Sequence, residues 1–364
     1  MRREHGDAAD NLGLWSETEE PVPLLAAGEQ PAKPSINGAR ASLKPEPASQ
    51  DRHRSAADFS AERMLRRATE RPSSGWRRAV FDLTGGLLRV GPSAAEVRER
   101  ELVARVKLPI RGCRKIAFIS RKGGVGKTTT CLLAGHTFAG YRGDRVIALD
   151  GNPDAGTLGH RIRRETTATI TSLLTDLEAI ERYADIRAYT SQAPTRLEVI
   201  AADDDPHITQ ALGEQEFQAA IGLLERHYNL VCLDTGTGVL ESATQGILDA
   251  ADQIVVVIAP SLDGARAASS TLDWLDENGY GQLVQGAVGV VNGVRPLNGA
   301  IDLDRVEEHF AGRCRSTVRI PWDEHLETGA ETDAEELDDT TRRAYLELAA
   351  AIAAGFAEPS ESRP

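Results

Sequence analysis

The stretch KIAFISRKGGVGKTTTCLLAGHTFAGY (115–141) constrains this chain more than any other. An apolar run of strand character leads without a break into a glycine-rich turn, and the turn leads into a helical pattern. Gly123, Gly124 and Gly126 let the backbone come close to a ligand with its N–H groups pointing inward. The helix that starts near Thr128 adds the positive end of its dipole. A loop of this composition between a strand and a helix is a cradle for phosphate. Lys127 is placed to reach the outer phosphates and the Thr128 hydroxyl to ligate Mg²⁺, with Val125 and Thr129 completing the loop.

The rhythm set by that stretch continues to the end of the chain. Further apolar runs follow at RVIALD (145–150), RLEVIA (196–201), NLVCLD (229–234), QIVVVIA (253–259), GAVGVVN (286–292) and STVRI (316–320). Helical patterns such as TTTCLLAGHTFAGY (128–141) and EQEFQAAIGLLERHY (214–228) lie between them. Near-continuous Val/Ile/Leu strands alternating with helices predict an α/β domain over 113–364, a mostly parallel sheet covered by helices on both faces. The Ala-rich stretch TTRRAYLELAAAIAAGFAEPSESRP reads as a last helix covering the core rather than a membrane anchor.

What precedes residue 113 is different in kind. Residues 1–60 are rich in Pro, Ala, Ser, Glu and Gln without helical or strand period, a composition that predicts a disordered extension. Residues 61–112 predict a basic helical linker. Trp76, Val80, Leu83 and Leu87 fall on one helical face, and a second helix is expected from Ala94, where Ser93 and Glu96 have the spacing of a capping box. Between Arg52 and Lys115 the charge is +9, against −22 for the remainder of a chain whose net charge is −13. That asymmetry makes 61–112 a candidate for peripheral contact with an anionic membrane or for a protein partner, and it argues against DNA as a partner of the acidic domain. Arg313, Arg315 and Arg319 are the exception, a possible local basic patch.

Other classes of function are excluded more simply. The four cysteines, at 113, 131, 232 and 314, have no metal-site spacing and read as small buried hydrophobes, and His136 and His160 stand alone. No run approaches the roughly 18 apolar residues of a membrane span. The first residues, MRREHGDAADNLGLWSE, lack an apolar core of signal type, so the expected location is the reducing cytoplasm.

One departure inside the phosphate loop is informative. Only six of the 42 basic residues are lysine, yet Lys122 and Lys127 stand five apart in RKGGVGKTTT. The pattern K-G-G-x-G-K-T-T is the deviant Walker A motif, and from Lys122 onward the chain resembles the ParA/MinD family of P-loop ATPases, of the SIMIBI class, over about 113–355. The resemblance implies ATP and Mg²⁺ as cofactors, ATP hydrolysis, and a homodimer in the ATP state. It implies that Lys122 reaches the partner subunit's nucleotide.

The same resemblance assigns the remaining positions. RVIALDGNPDAGTL (145–158) is similar to switch I, with Asp150 facing the metal and Asn152 where relatives carry the aspartate that orients the attacking water. Asn can hold a water but cannot accept its proton, so slow hydrolysis is expected; Asp154, two residues on, is an alternative carboxylate. YNLVCLDTGTG (228–238) is similar to Walker B and switch II, with Asp234 on the metal side. Asn292 in VVNGV and Pro321 in IPWDEHL match the family's adenine-side positions.

The layout carries a narrower resemblance. The Pro/Ala-rich extension, then GWRRAVFDLTGGLLRVGPS (75–93), then GCRKIAFISRKGGVGKTTT (112–130) resembles the EspI-like MinD/ParA proteins associated with type VII (ESX) secretion in actinobacteria. It implies an accessory or regulatory role beside a secretion apparatus. A ParA-type partition ATPase that binds DNA non-specifically and a MinD-type membrane-positioning ATPase are the alternatives.

Overall fold

Each of the seven apolar runs forms a strand. The computed structural model describes Leu83 and residues 92–152, 156–238, 241–295 and 301–357. Within them lie β1 (Arg114–Ile119), β2 (Val146–Gly151), β3 (Ser191–Gln192), β4 (Glu198–Ile200), β5 (Leu230–Thr235), β6 (Gln253–Ile258), β7 (Val288–Val294) and β8 (Ser316–Pro321). They join in one sheet of order β3-β4-β2-β5-β1-β6-β7-β8. All neighbours pair in parallel except β3 and β4. The antiparallel β3 is the one strand that the apolar runs do not announce. It holds two residues, one of them buried, and its position is set by pairing with β4 rather than by its own composition.

The period-two alternation of the strands builds two apolar layers. Ile116 and Phe118 of β1 face one layer, with Cys232 of β5 and Val255 and Val257 of β6. Ala117 and Ile119 face the other, with Leu233, Val256 and Ile258. The first layer is closed by the helices α1 (Ala94–Val106), α2 (Lys127–Tyr141) and, near the C-terminus, Asp339–Ala353. The second is closed by α3 (Glu214–His227), α4 (Ser242–Ala250), α5 (Leu262–Glu277) and α6 (Leu303–Ala311). After β8 come the short α7 (Glu324–Glu327) and the C-terminal α8 (Asp339–Ala353), whose Tyr345, Leu348, Ala349 and Ile352 are buried in the first layer, as a core-covering helix requires.

Helix α1 begins at the expected cap. The Ser93 N–H donates to Glu96 Oε2 at 2.7 Å and the Glu96 N–H to Ser93 Oγ at 3.2 Å, a reciprocal box worth about 1 kcal/mol. The helix packs on α8, and Arg142 Nη1 ties its end down by donating to the Val106 and Leu108 carbonyls at 2.5 and 2.7 Å. The second helix of the expected basic linker therefore lies against the sheet domain. Of the predicted Trp76–Leu87 stripe only Leu83 is described; it is helical and 91% exposed. The extension 1–60 and Asp154 lie outside the described residues. Among the described residues no helix is long and apolar enough to cross a membrane.

Candidate phosphate-binding site

Strand β1 lies between β5 and β6, and the strand order runs outward from it in both directions. The C-terminal end of such a strand is where open α/β sheets leave a crevice for ligands. The glycine loop emerges there. Gly124 and Gly126 have φ of +73° and +85°, left-handed conformations that suit glycine, and Gly126 is the N-cap of α2. Gly126 is required for a second reason, because a Cβ on it would collide with the Asn292 side chain. That side chain supports the loop: Asn292 Nδ2 donates to the Val125 carbonyl at 2.7 Å.

Asp150 and Asp234 stand side by side, in register on β2 and β5, and both are fully buried. Two buried carboxylates so close need positive partners. Lys127 supplies one: its Nζ lies 2.6 Å from Asp234 Oδ1 and also donates to the Thr235 carbonyl. Asp150 is held by backbone instead, Oδ2 accepting from Leu158 N–H at 2.9 Å and Oδ1 from Asn152 N–H at 3.2 Å. Burial first, then the facing charge of Asp234, pushes the Asp150 carboxyl well above the ordinary carboxylate range; the two N–H donors and Lys127 pull the other way. Asp234 Oδ2 is buried with no hydrogen-bond partner among the described residues. Gly156 closes the pocket, since a Cβ there would strike the Asp150 carboxylate.

From the loop a cleft of 380 Å³ runs along the ends of β6, β7 and β8. Gly124, Val125, Gly126 and Thr129 line one end, and Pro260, Asn292, Pro321 and Trp322 the other. The fold thus brings Val125, Asn292 and Pro321 together from segments far apart in sequence. Lys127, Asp150 and Asp234 form the buried group beside the loop. Thr128 is half-buried in the first turn of α2, and Asn152 is half-buried just past β2. Lys122 and Gly123 are exposed on the outer rim of the loop. Sequence reasoning missed Gly156, Arg295, Trp322 and Glu327. Only Trp322 carried a signal, by following Pro321 directly.

The features set aside behave as small or structural groups. All four cysteines are free and buried, and burial pushes the Cys113, Cys232 and Cys314 thiols up, Cys113 and Cys232 to about 12. No group of three or more His, Cys, Asp or Glu side chains suited to a metal occurs among the described residues. The possible basic patch is neutralised where it stands. Arg313 pairs with Asp273 and Asp276 at 2.5 and 2.9 Å, and Arg319 with Asp304 at 2.5 Å and with Glu307. Arg315 donates to the Ala351 carbonyl of α8 at 2.9 Å.

Comparison with known proteins agrees with this geometry. A family model described as an AAA domain matches residues 113–281. The ESX-1 secretion-associated protein EspI of Mycobacterium tuberculosis is 38% identical over 284 residues, covering 78% of this chain and 42% of that protein. The chain thus spans less than half the length of that curated relative. In fold it is similar to a ParA family ATPase from Chlorobium tepidum, with a TM-score of 0.56 and 18% identity over 65% of this chain and 98% of that one. It is also similar to the septum site-determining protein MinD of Pyrococcus horikoshii, solved with Mg-ADP, with a TM-score of 0.51 and 17% identity over 65% of this chain and 94% of that one. In fold the chain is thus similar to ParA and MinD proteins, and in sequence it is similar to EspI over most of its own length.

Proposed function

We propose that the chain binds ATP with Mg²⁺ at the glycine loop, hydrolyses it slowly, and uses the nucleotide to switch between monomer and homodimer. One observation carries this reading: Lys127 of the loop and the in-register pair Asp150 and Asp234 share one buried cluster at the mouth of a cleft ending at Asn292 and Pro321. In this reading the loop N–H groups of 123–128 and Lys127 hold the phosphates. Lys127 exchanges one anionic partner, Asp234, for another. Asn292 donates one N–H of its amide to Val125, and its Oδ1 offers an acceptor that suits the exocyclic amine of adenine.

The donor set fits a hard divalent cation: a threonine hydroxyl, two adjacent carboxylates, and an Asp234 oxygen without a hydrogen-bond partner among the described residues. Thr128, Asp150 and Asp234 would hold Mg²⁺, which when bound offsets phosphate charge as the terminal phosphoryl group leaves. Asn152 sits beside Asp150 and would orient the water without taking its proton. Gly236 and Gly238 give the segment after Asp234 the freedom to rearrange when the phosphate departs. Lys122, exposed on the rim, would complete the site of a second copy.

The similarity to EspI supports placing this switch beside a type VII secretion apparatus, with a protein partner and a cytoplasmic or peripheral membrane location. The ion-paired state of Arg313 and Arg319 counts against DNA. The test of nucleotide binding is calorimetric titration of the chain with ATP and Mg²⁺. Saturable binding that is lost in Lys127→Ala supports the reading, and no heat from the unaltered chain overturns it.

A further inference from the structure

The far wall of the cleft is built from residues that the phosphate cluster does not use. Arg295 follows β7 and Trp322 follows β8, so the parallel pairing of these strands sets the two side by side. The guanidinium carbon of Arg295 lies 4.7 Å from the centroid of the Trp322 ring. Glu327, at the end of α7, accepts from Arg295 Nη2 at 3.1 Å. All three line the cleft that begins at Gly124 and Gly126.

The tryptophan is fixed from both directions along the chain. Its N–H donates to the Val294 carbonyl at 3.0 Å, extending the ladder beyond the bulge at Asn292 and Val294. The next residue, Asp323, is buried and caps α7 by accepting from His325 N–H at 3.0 Å, while its other oxygen accepts from Asp338 N–H at 3.1 Å. The Arg295–Glu327 pair, 52% and 58% exposed, is screened by solvent and adds little to stability. Its consequence is geometric: it keeps a planar cation over the indole. A pile of guanidinium on indole, held in place beside a phosphate loop, is a stacking surface for a flat heteroaromatic ring.

We propose that Trp322, with Arg295 over it, is the stacking wall for the nucleobase and sets affinity for the base without choosing between adenine and guanine. The inference rests on the reading that the loop binds nucleotide phosphates. Stacking is tolerant of base identity because every base has a π-face, so the choice of adenine is left to the Asn292 acceptor. Glu327 is a positioning residue that acts through Arg295.

The experiment titrates the full chain with ATP, GTP and inorganic tripolyphosphate in the presence of Mg²⁺. Trp322→Ala is expected to weaken ATP and GTP by the same factor, roughly tenfold, and to leave tripolyphosphate unchanged. Trp322→Phe keeps a ring and is expected to recover most of the loss, whereas Arg295→Ala loses affinity in the same direction. Unchanged ATP affinity in Trp322→Ala would overturn the proposal, as would an equal loss of tripolyphosphate, which would make Trp322 a residue of the fold alone. An unaltered chain that binds tripolyphosphate as tightly as ATP overturns the stacking wall and leaves the phosphate site standing. Binding of neither compound overturns the nucleotide reading itself.

Discussion

Lys127 and Asp234, 107 positions apart, meet at 2.6 Å with 8% and 0% of their side chains exposed. The pair joins the first turn of α2 to the end of β5 and brings a cation to the buried Asp150–Asp234 carboxylates. It is the physical link between the glycine loop and the C-terminal ends of β2 and β5.

Removing that cation has two consequences. Lys127→Ala leaves two buried carboxylates without their ammonium partner, and such a loss typically costs about 3–5 kcal/mol. The denaturant midpoint should fall clearly below that of the unaltered chain, and ATP binding should disappear. Lys122→Ala, altering an exposed side chain, should leave the midpoint within about 0.5 kcal/mol of the original. Equal midpoints for the two variants would show that the Lys127–Asp234 pair contributes no stability.

Turnover tests the reading of Asn152. Its backbone donates to Asp150, so a carboxylate at this position would stand beside the proposed metal-side residue. Asn152→Asp should raise the steady-state ATPase rate at least about tenfold. If the rate is unchanged there and collapses in Asp154→Ala, the water-handling role belongs to Asp154.

Lys127 and Asp234 each lie in a pattern legible in the sequence. The loop, the carboxylates at the ends of β2 and β5, and seven strands were legible because each is a local pattern: an apolar run, a glycine cluster, or an acid at the end of a strand. What escaped notice depends on pairing across the sheet. No local signal joins Arg295 to Trp322; they meet because β7 and β8 run in parallel register. Gly156 looks like any loop glycine until the Asp150 carboxylate is found against it. The basic patch at 313–319 failed for the same reason, since its acidic partners lie on α5 and α6.

Acid stability should respond to His136 of α2. Its ring is buried, with Nδ1 2.7 Å from Thr195 Oγ1, and burial pushes its pKa down to about 4; Asp333 opposes this weakly. A histidine held neutral in the folded chain takes up a proton more readily when unfolded, so stability rises with pH through this range. The stabilisation is present above about 6.5 and is lost as pH falls toward about 4, amounting to roughly 3 kcal/mol at most. His136→Asn should flatten the dependence of the urea midpoint on pH between these limits. An identical slope in the variant would assign the acid sensitivity to other groups.

Duplex DNA should not be a ligand. The cations most exposed to suspicion, Arg313 and Arg319, already carry two acidic partners each. Fluorescence anisotropy with random duplex in ATP and low salt should show no saturable binding. A tight complex weakening steeply with salt would restore the partition reading.

In the proposed switch, ATP at the glycine loop joins two copies, with Lys122 of each reaching the other. Light scattering on the chain saturated with Mg²⁺ and a non-hydrolysable ATP analogue reads this association as mass. The expected result is twice the single-chain mass with the analogue, reverting to the single-chain mass in Lys122→Ala. A single-chain mass for the unaltered protein at saturation would contradict the claim.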